Sequence, residues 1–149
     1  MKNIIKKGFT LLEILVVISI IGILTGLAIF SFEPAQKRAR DTQRKSDLKQ
    51  YQTSLESYAN NNSGLYPIHT TSVTISTNNL CDVDELDISG SCPEDPKTGF
   101  DIYGYHYVSD TAASEFILWA KLETDDYWVV CSSGKSDVWA TTPALPCPL

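Results

Sequence analysis

The chain has 149 residues, of which 43% are hydrophobic and 20% charged, with a formal net charge of −6. That length leaves room for one small domain. The charge is unevenly spread: residues 1–8 carry Lys2, Lys6 and Lys7 and no acid, residues 33–60 sum to +2, and from residue 61 three lysines face thirteen carboxylates, giving −10. A surface of that sign repels phosphate backbones, so nucleic acid is excluded as a partner of the C-terminal part.

Residues 9–32 follow the basic leader as an almost unbroken apolar run. At 1.5 Å per residue, a helix of that length crosses a bilayer core of about 30 Å. Strands seldom exceed about ten residues, so length decides for a transmembrane helix. A secretory signal peptide is shorter and ends in small residues at its cleavage site, and neither feature is present. The lysines of the leader favour a cytoplasmic N-terminus, but Lys37, Arg38, Arg40, Arg44 and Lys45 pull the other flank inward too, so charge leaves the orientation open. Glu13 is the one charge within the run. Near a bilayer centre a carboxylate costs about 2.5–3.5 kcal/mol, which demands a partner or a place in the headgroup layer.

The run KKGFTLLEILVVISIIGIL, Lys6–Leu24, resembles the N-terminus of type IV prepilins and of the pseudopilins of type II secretion. The resemblance implies that a membrane-embedded prepilin peptidase cuts after Gly8, that Phe9 becomes the N-methylated first residue, and that Glu13 is the fifth-position glutamate. It also supplies a partner for Glu13: the N-terminal amine of a neighbouring subunit within the filament core, each charge offsetting the other's desolvation. A cytoplasmic leader and an extracytoplasmic remainder follow from the same likeness.

Gly22, Gly26 and Pro34 punctuate the helix. Glycine weakens an interior turn by roughly 1 kcal/mol and proline removes a hydrogen bond, which makes local loss of helical order in a filament inexpensive; small residues are also ordinary in membrane helices. Beyond Pro34 no breaker occurs before Asn60–Asn62 and Gly64, which predicts a helical continuation over 33–60. Leu48, Tyr51, Leu55 and Tyr58 fall on one face of it and read as core. The run Lys37–Lys49, mixed with Asp41 and Asp47, reads as solvated helix, with a basic collar meeting acidic neighbours or lipid headgroups as the alternative.

In the acidic extracytoplasmic head, residues 61–149, three segments have strand character: Ile102–Ser109, Glu115–Glu123 and Tyr127–Ser132. They predict an antiparallel meander with one face on the helix. Thr124, Asp125 and Asp126 suit the last connection. Cys81, Cys92, Cys131 and Cys147 allow three pairings, of which proximity favours Cys81–Cys92 and Cys131–Cys147. Zinc would prefer tighter C-x-x-C spacing, so disulfides are expected. The resemblance adds that the second pair would bound a C-terminal region like that of many type IV pilins, and that CPEDPKTG before Tyr103–Tyr107 matches the loop preceding the sheet in small pilins. Asp82, Asp84, Glu85 and Asp87 raise a calcium site, since some major pseudopilins bind calcium in the head; the spacing lacks the glycine and final glutamate of an EF-hand, so an acidic loop is expected, with no cofactor and no metal ligand assigned.

His69 and His106 stand outside any motif, no phosphate loop or nucleophile elbow occurs, and Trp119, Trp128 and Trp139 read as packing residues. No enzyme is expected. The sequence therefore predicts an α+β fold, a long helix, transmembrane in its first half, on a small antiparallel sheet of three to four strands. The predicted role is that of a structural subunit of a type IV pilus-like filament. The resemblance implies as its partners copies of itself, the prepilin peptidase, the pilus assembly platform and, before assembly, the cytoplasmic membrane. A pseudopilin and a non-polymerising single-pass protein with a small binding head are the alternatives.

Overall fold

The structure is a computed structural model describing residues 8–75, 80–81, 86, 92–97, 102–124 and 126–149, with the side chains of 28–31 left undescribed. It divides into two compact units, residues 1–36 and 37–149. Helix α1, Leu11–Asn61, is 51 residues long, passes through Pro34 and enters both.

In the first unit every described side chain from residue 8 to 27 and from 32 to 36 is exposed. Ser19 and Thr25 return their hydroxyls to the carbonyls of Leu15 and Ile21, at 2.7 and 2.8 Å. Their donors are thereby satisfied within the helix, as an apolar setting requires. Among the described residues no single helix is long and apolar enough to cross a membrane; Leu11–Leu27 meets that requirement only together with the stretch starting at Phe32.

In the second unit the helix buries Leu48, Tyr51 and Leu55 completely and half-buries Tyr58, the stripe predicted from spacing. The helix stops where Asn62 donates its side-chain amide to Tyr58 O at 2.9 Å and the Gly64 amide reaches Ala59 O at 2.8 Å. Ser63 and Gly64 both have positive φ, 60° and 83°. This is the left-handed exit that glycine makes inexpensive and that satisfies the last carbonyls.

Among the described residues the sheet has five strands, not three to four: β1 Val73–Thr74, β2 Tyr105–Ser109, β3 Phe116–Lys121, β4 Tyr127–Cys131 and β5 Ser136–Trp139. They follow one another in sequence order, all neighbours antiparallel. The two additional strands lie at the edges. β1 has only two residues, and all four residues of β5 are exposed, so neither shows the apolar alternation that marks a strand in sequence. β2 starts at Tyr105 instead of Ile102, whose side chain is exposed.

Register assigns the faces. Tyr105, Tyr107, Phe116, Leu118, Ala120 and Val130 join the helix stripe and Ile75, Leu80 and Leu86 in one core. Tyr51 and Tyr105 meet with ring centroids 5.7 Å apart, and Tyr66 meets Phe116 edge-on at 4.7 Å. The opposite face is also covered: Val108, Ile117, Trp119, Val129 and Cys131 pack against Leu145, Cys147 and Leu149 of the C-terminal tail. The head is thus three layers deep, helix, sheet and tail.

Candidate functional site

Gly8, Phe9 and Thr10 precede the helix, and Phe9 is 85% exposed. Thr10 is the cap. Its backbone amide and its hydroxyl both donate to Glu13 Oε2, each at 2.8 Å, while the Glu13 amide donates to Thr10 Oγ1 at 3.2 Å. This reciprocal pair, threonine followed three residues later by glutamate, satisfies amides that a helix start otherwise leaves unpaired. The carboxylate is also favourably placed at the positive end of the helix dipole. An open apolar depression on the first turns of the helix is lined by Phe9, Thr10, Leu11, Ile14, Leu15 and Ile18. The arrangement combines a glycine in non-helical chain, one oriented carboxylate and an exposed apolar surface.

A family model described as the prokaryotic N-terminal methylation motif matches residues 5–29. Over 53 residues the chain is 40% identical to the type IV major pilin protein PilA of Myxococcus xanthus (strain DK1622), covering 36% of this chain and 24% of that one. The N-terminal segment thus carries the methylation motif and is similar to that of a type IV major pilin. The chain spans about a quarter of the length of that pilin. No solved structure matches.

The head behind this pilin segment holds a charge cluster that differs from the solvated run the sequence predicts for Lys37–Lys49. Arg44 has no solvent exposure. Its Nε and Nη2 grip Asp95 at 2.7 and 2.9 Å, and its Nη1 reaches Asp41 at 2.7 Å and Glu123 at 3.2 Å. Arg40 adds a two-pronged contact to Glu123 at 2.5 and 2.7 Å, and Lys97 Nζ sits 2.8 Å from the same carboxylate. Asp41 also accepts from the amides of Glu123 and Thr124 and from the Thr124 hydroxyl. Tyr103 lies against this cluster, with the Arg44 guanidinium 4.6 Å and Lys97 Nζ 4.9 Å from its ring centre.

Charge governs the titration of the cluster. The hydrogen bonds from Arg40, then those from Lys97 and Arg44, outweigh burial and hold Glu123 far below its ordinary value. Burial alone would raise Asp41, but its bonds from Glu123, Thr124 and Arg44 reverse that and lower it. Arg44 is raised in spite of burial by Asp95, Asp41 and Glu123. With Glu123 and Asp41 held below their ordinary values and Arg44 above its own, the cluster is a clamp and not an acid–base pair. It fastens the 92–97 loop and the β3–β4 connection to the helix. Nearby, the Tyr51 hydroxyl donates to Pro93 O at 2.6 Å and the Tyr105 hydroxyl to Asp47 at 2.5 Å.

The cysteines pair as Cys81–Cys92 and Cys131–Cys147, the pairing that proximity favours, with Cα separations of 6.1 and 6.0 Å. His106 is half-buried and stacks on Trp119 with centroids 5.4 Å apart; burial lowers its pKa. Trp119 is core, Trp128 carries the Lys45 ammonium 4.2 Å from its ring centre, and Trp139 stays 36% exposed on β5. Gly22 and Gly26 have open space where a side chain would stand. Asp82, Asp84, Glu85 and Asp87, the calcium alternative, lie outside the described residues, and among the described residues no group of three or more acids, histidines or cysteines is placed to hold a metal.

Proposed function

We propose that this chain is a structural subunit of a type IV pilus-like filament, held in the cytoplasmic membrane as a precursor and polymerised through its N-terminal helix. The carrying observation is the lone carboxylate Glu13, five residues after Gly8 at the capped start of a helix whose apolar first part, to Leu27, is exposed. In this reading a prepilin peptidase cuts after Gly8, Phe9 becomes the methylated terminus, and Glu13 receives the amine of a neighbouring copy in a water-poor core, where such a pair is strengthened. The head stands outside the membrane, in the oxidising setting its two disulfides fit. No step requires a cofactor, and calcium is expected to leave the thermal midpoint of the head unchanged.

The match to the methylation motif supports this reading, and the identity to a major pilin supports a pilus. The intact mass of protein sheared from the cell surface tests it. A chain starting at methylated Phe9 is expected. A precursor starting at Met1, found only in membranes, overturns processing and assembly together. Cleaved protein confined to the envelope, with a secretion defect on deletion, would assign it to the pseudopilins instead.

A further inference from the structure

The Cys81–Cys92 link and the charge cluster meet in one short segment. Pro93 follows Cys92 directly, and its carbonyl accepts the Tyr51 hydroxyl at 2.6 Å. Further along, Asp95 is buried; Arg44 takes both its oxygens, at 2.7 and 2.9 Å, and Oδ1 also accepts the Lys97 amide at 2.8 Å. Arg44 and Tyr51 stand about two turns apart on one face of α1. The other cysteine is held from the core side: Leu80 has no solvent exposure, and Cys81 packs against the cluster that contains Tyr51. Cys131 and Cys147 belong to the core on the opposite sheet face, a cluster that includes no residue of α1.

We propose that Arg44 and Tyr51 are positioning residues for the Cys81–Cys92 bond: docking of α1 seats the 92–97 loop, which brings Cys92 to Cys81, and the bond in turn secures the loop on the helix. Cysteines are bridged without backbone movement only when their Cα atoms lie within about 7 Å, and these are 6.1 Å apart. A loop fastened at Pro93 and Asp95 keeps Cys92 in that range, whereas an undocked chain reaches it only at the entropic cost of closing the loop. The coupling is reciprocal: whatever factor docking adds to the thiol–disulfide equilibrium, the bond adds to docking. The head thereby carries a redox-sensitive latch. It closes when one cysteine thiolate attacks a disulfide oxidant and the other displaces that oxidant from the mixed disulfide; two hydrogens and two electrons leave as the oxidant's own pair of thiols. The Cys131–Cys147 pair, which has no such anchor on α1, is the internal reference. The inference is independent of the filament reading.

The test equilibrates the full chain in detergent micelles with graded ratios of reduced and oxidised dithiothreitol, traps thiols by alkylation and reads each disulfide by peptide mass. Asp95→Asn keeps the shape and weakens the grip of Arg44; Tyr51→Phe keeps the ring and removes the hydroxyl. They are expected to shift the Cys81–Cys92 equilibrium toward thiols by about tenfold and about fivefold, with Cys131–Cys147 unchanged within about twofold. Leu145→Ala, in the tail, is expected to do the reverse, loosening Cys131–Cys147 and sparing Cys81–Cys92. An unchanged Cys81–Cys92 equilibrium in Tyr51→Phe, or equal shifts of both disulfides in any of the three variants, overturns the proposal. Because Tyr51→Phe removes a single hydrogen bond, the test stands even where Asp95→Asn fails to fold.

Discussion

Arg44 satisfies three carboxylates from a site without solvent, so its removal leaves Asp41, Asp95 and Glu123 short of donors in the interior of the head. Breaking a buried ion network by deleting one member costs about 3–5 kcal/mol, far more than loss of an exposed pair. Arg44→Met, which keeps the volume, is therefore expected to lower the unfolding free energy from urea titration by that amount at neutral pH, through a lower midpoint with little change in slope. The gap should depend on acid. Glu123 and Asp41 have folded pKa values below their ordinary 4.5 and 3.8, so the stability they supply is present above those values and is lost as pH falls through the lowered ones. The wild type loses this increment in acid, whereas the variant has less to lose, so the two midpoints should converge below about pH 4. A gap that stays constant down to pH 3 would assign the cost to packing and not to charge. Little of this was legible in sequence. Asp41 and Arg44 stand three apart, as on any solvated helix, while the residues that bury them lie 51 and 79 positions from Arg44.

The helix and the central strands were legible, because Leu48, Tyr51 and Leu55 recur at helical spacing and Phe116, Leu118 and Ala120 alternate. The second sheet face was not. The tail that covers it, ending in Leu145, Cys147 and Leu149, has no period of its own and is placed by its link to Cys131. β5, between the linked cysteines, pairs Tyr127 with Trp139 and Val129 with Asp137, contacts that no local pattern announces. A disulfide holding such a segment stabilises mainly by restricting the unfolded chain, by about 2–4 kcal/mol. The double variant Cys131→Ala with Cys147→Ser is expected to lose about that much. It should also open Trp119 to a soluble fluorescence quencher while helical circular dichroism is retained. Unchanged Trp119 quenching would show that Leu145 and Leu149 hold the tail without the link.

At the scale of the molecule, the two units divide their solvents. The apolar side chains of residues 9–27 are exposed throughout, an area far larger than a soluble monomer tolerates, which agrees with a segment that other copies or lipid must cover. The second unit encloses its own core: among the described residues every buried side chain lies at or beyond Asp41. A fragment starting at Lys37 carries nine basic and sixteen acidic residues, a net −7, which favours solubility. Exported to an oxidising compartment so that both disulfides form, it is expected to be a detergent-free monomer. Its thermal midpoint should equal that of the head within the full chain in micelles, since every described buried side chain is retained. The full chain should sediment as aggregates once detergent is withdrawn. A midpoint lowered by about 4–8 °C would correspond to roughly 1 kcal/mol supplied from upstream, and would mean that the apolar segment supports the head as well as the filament.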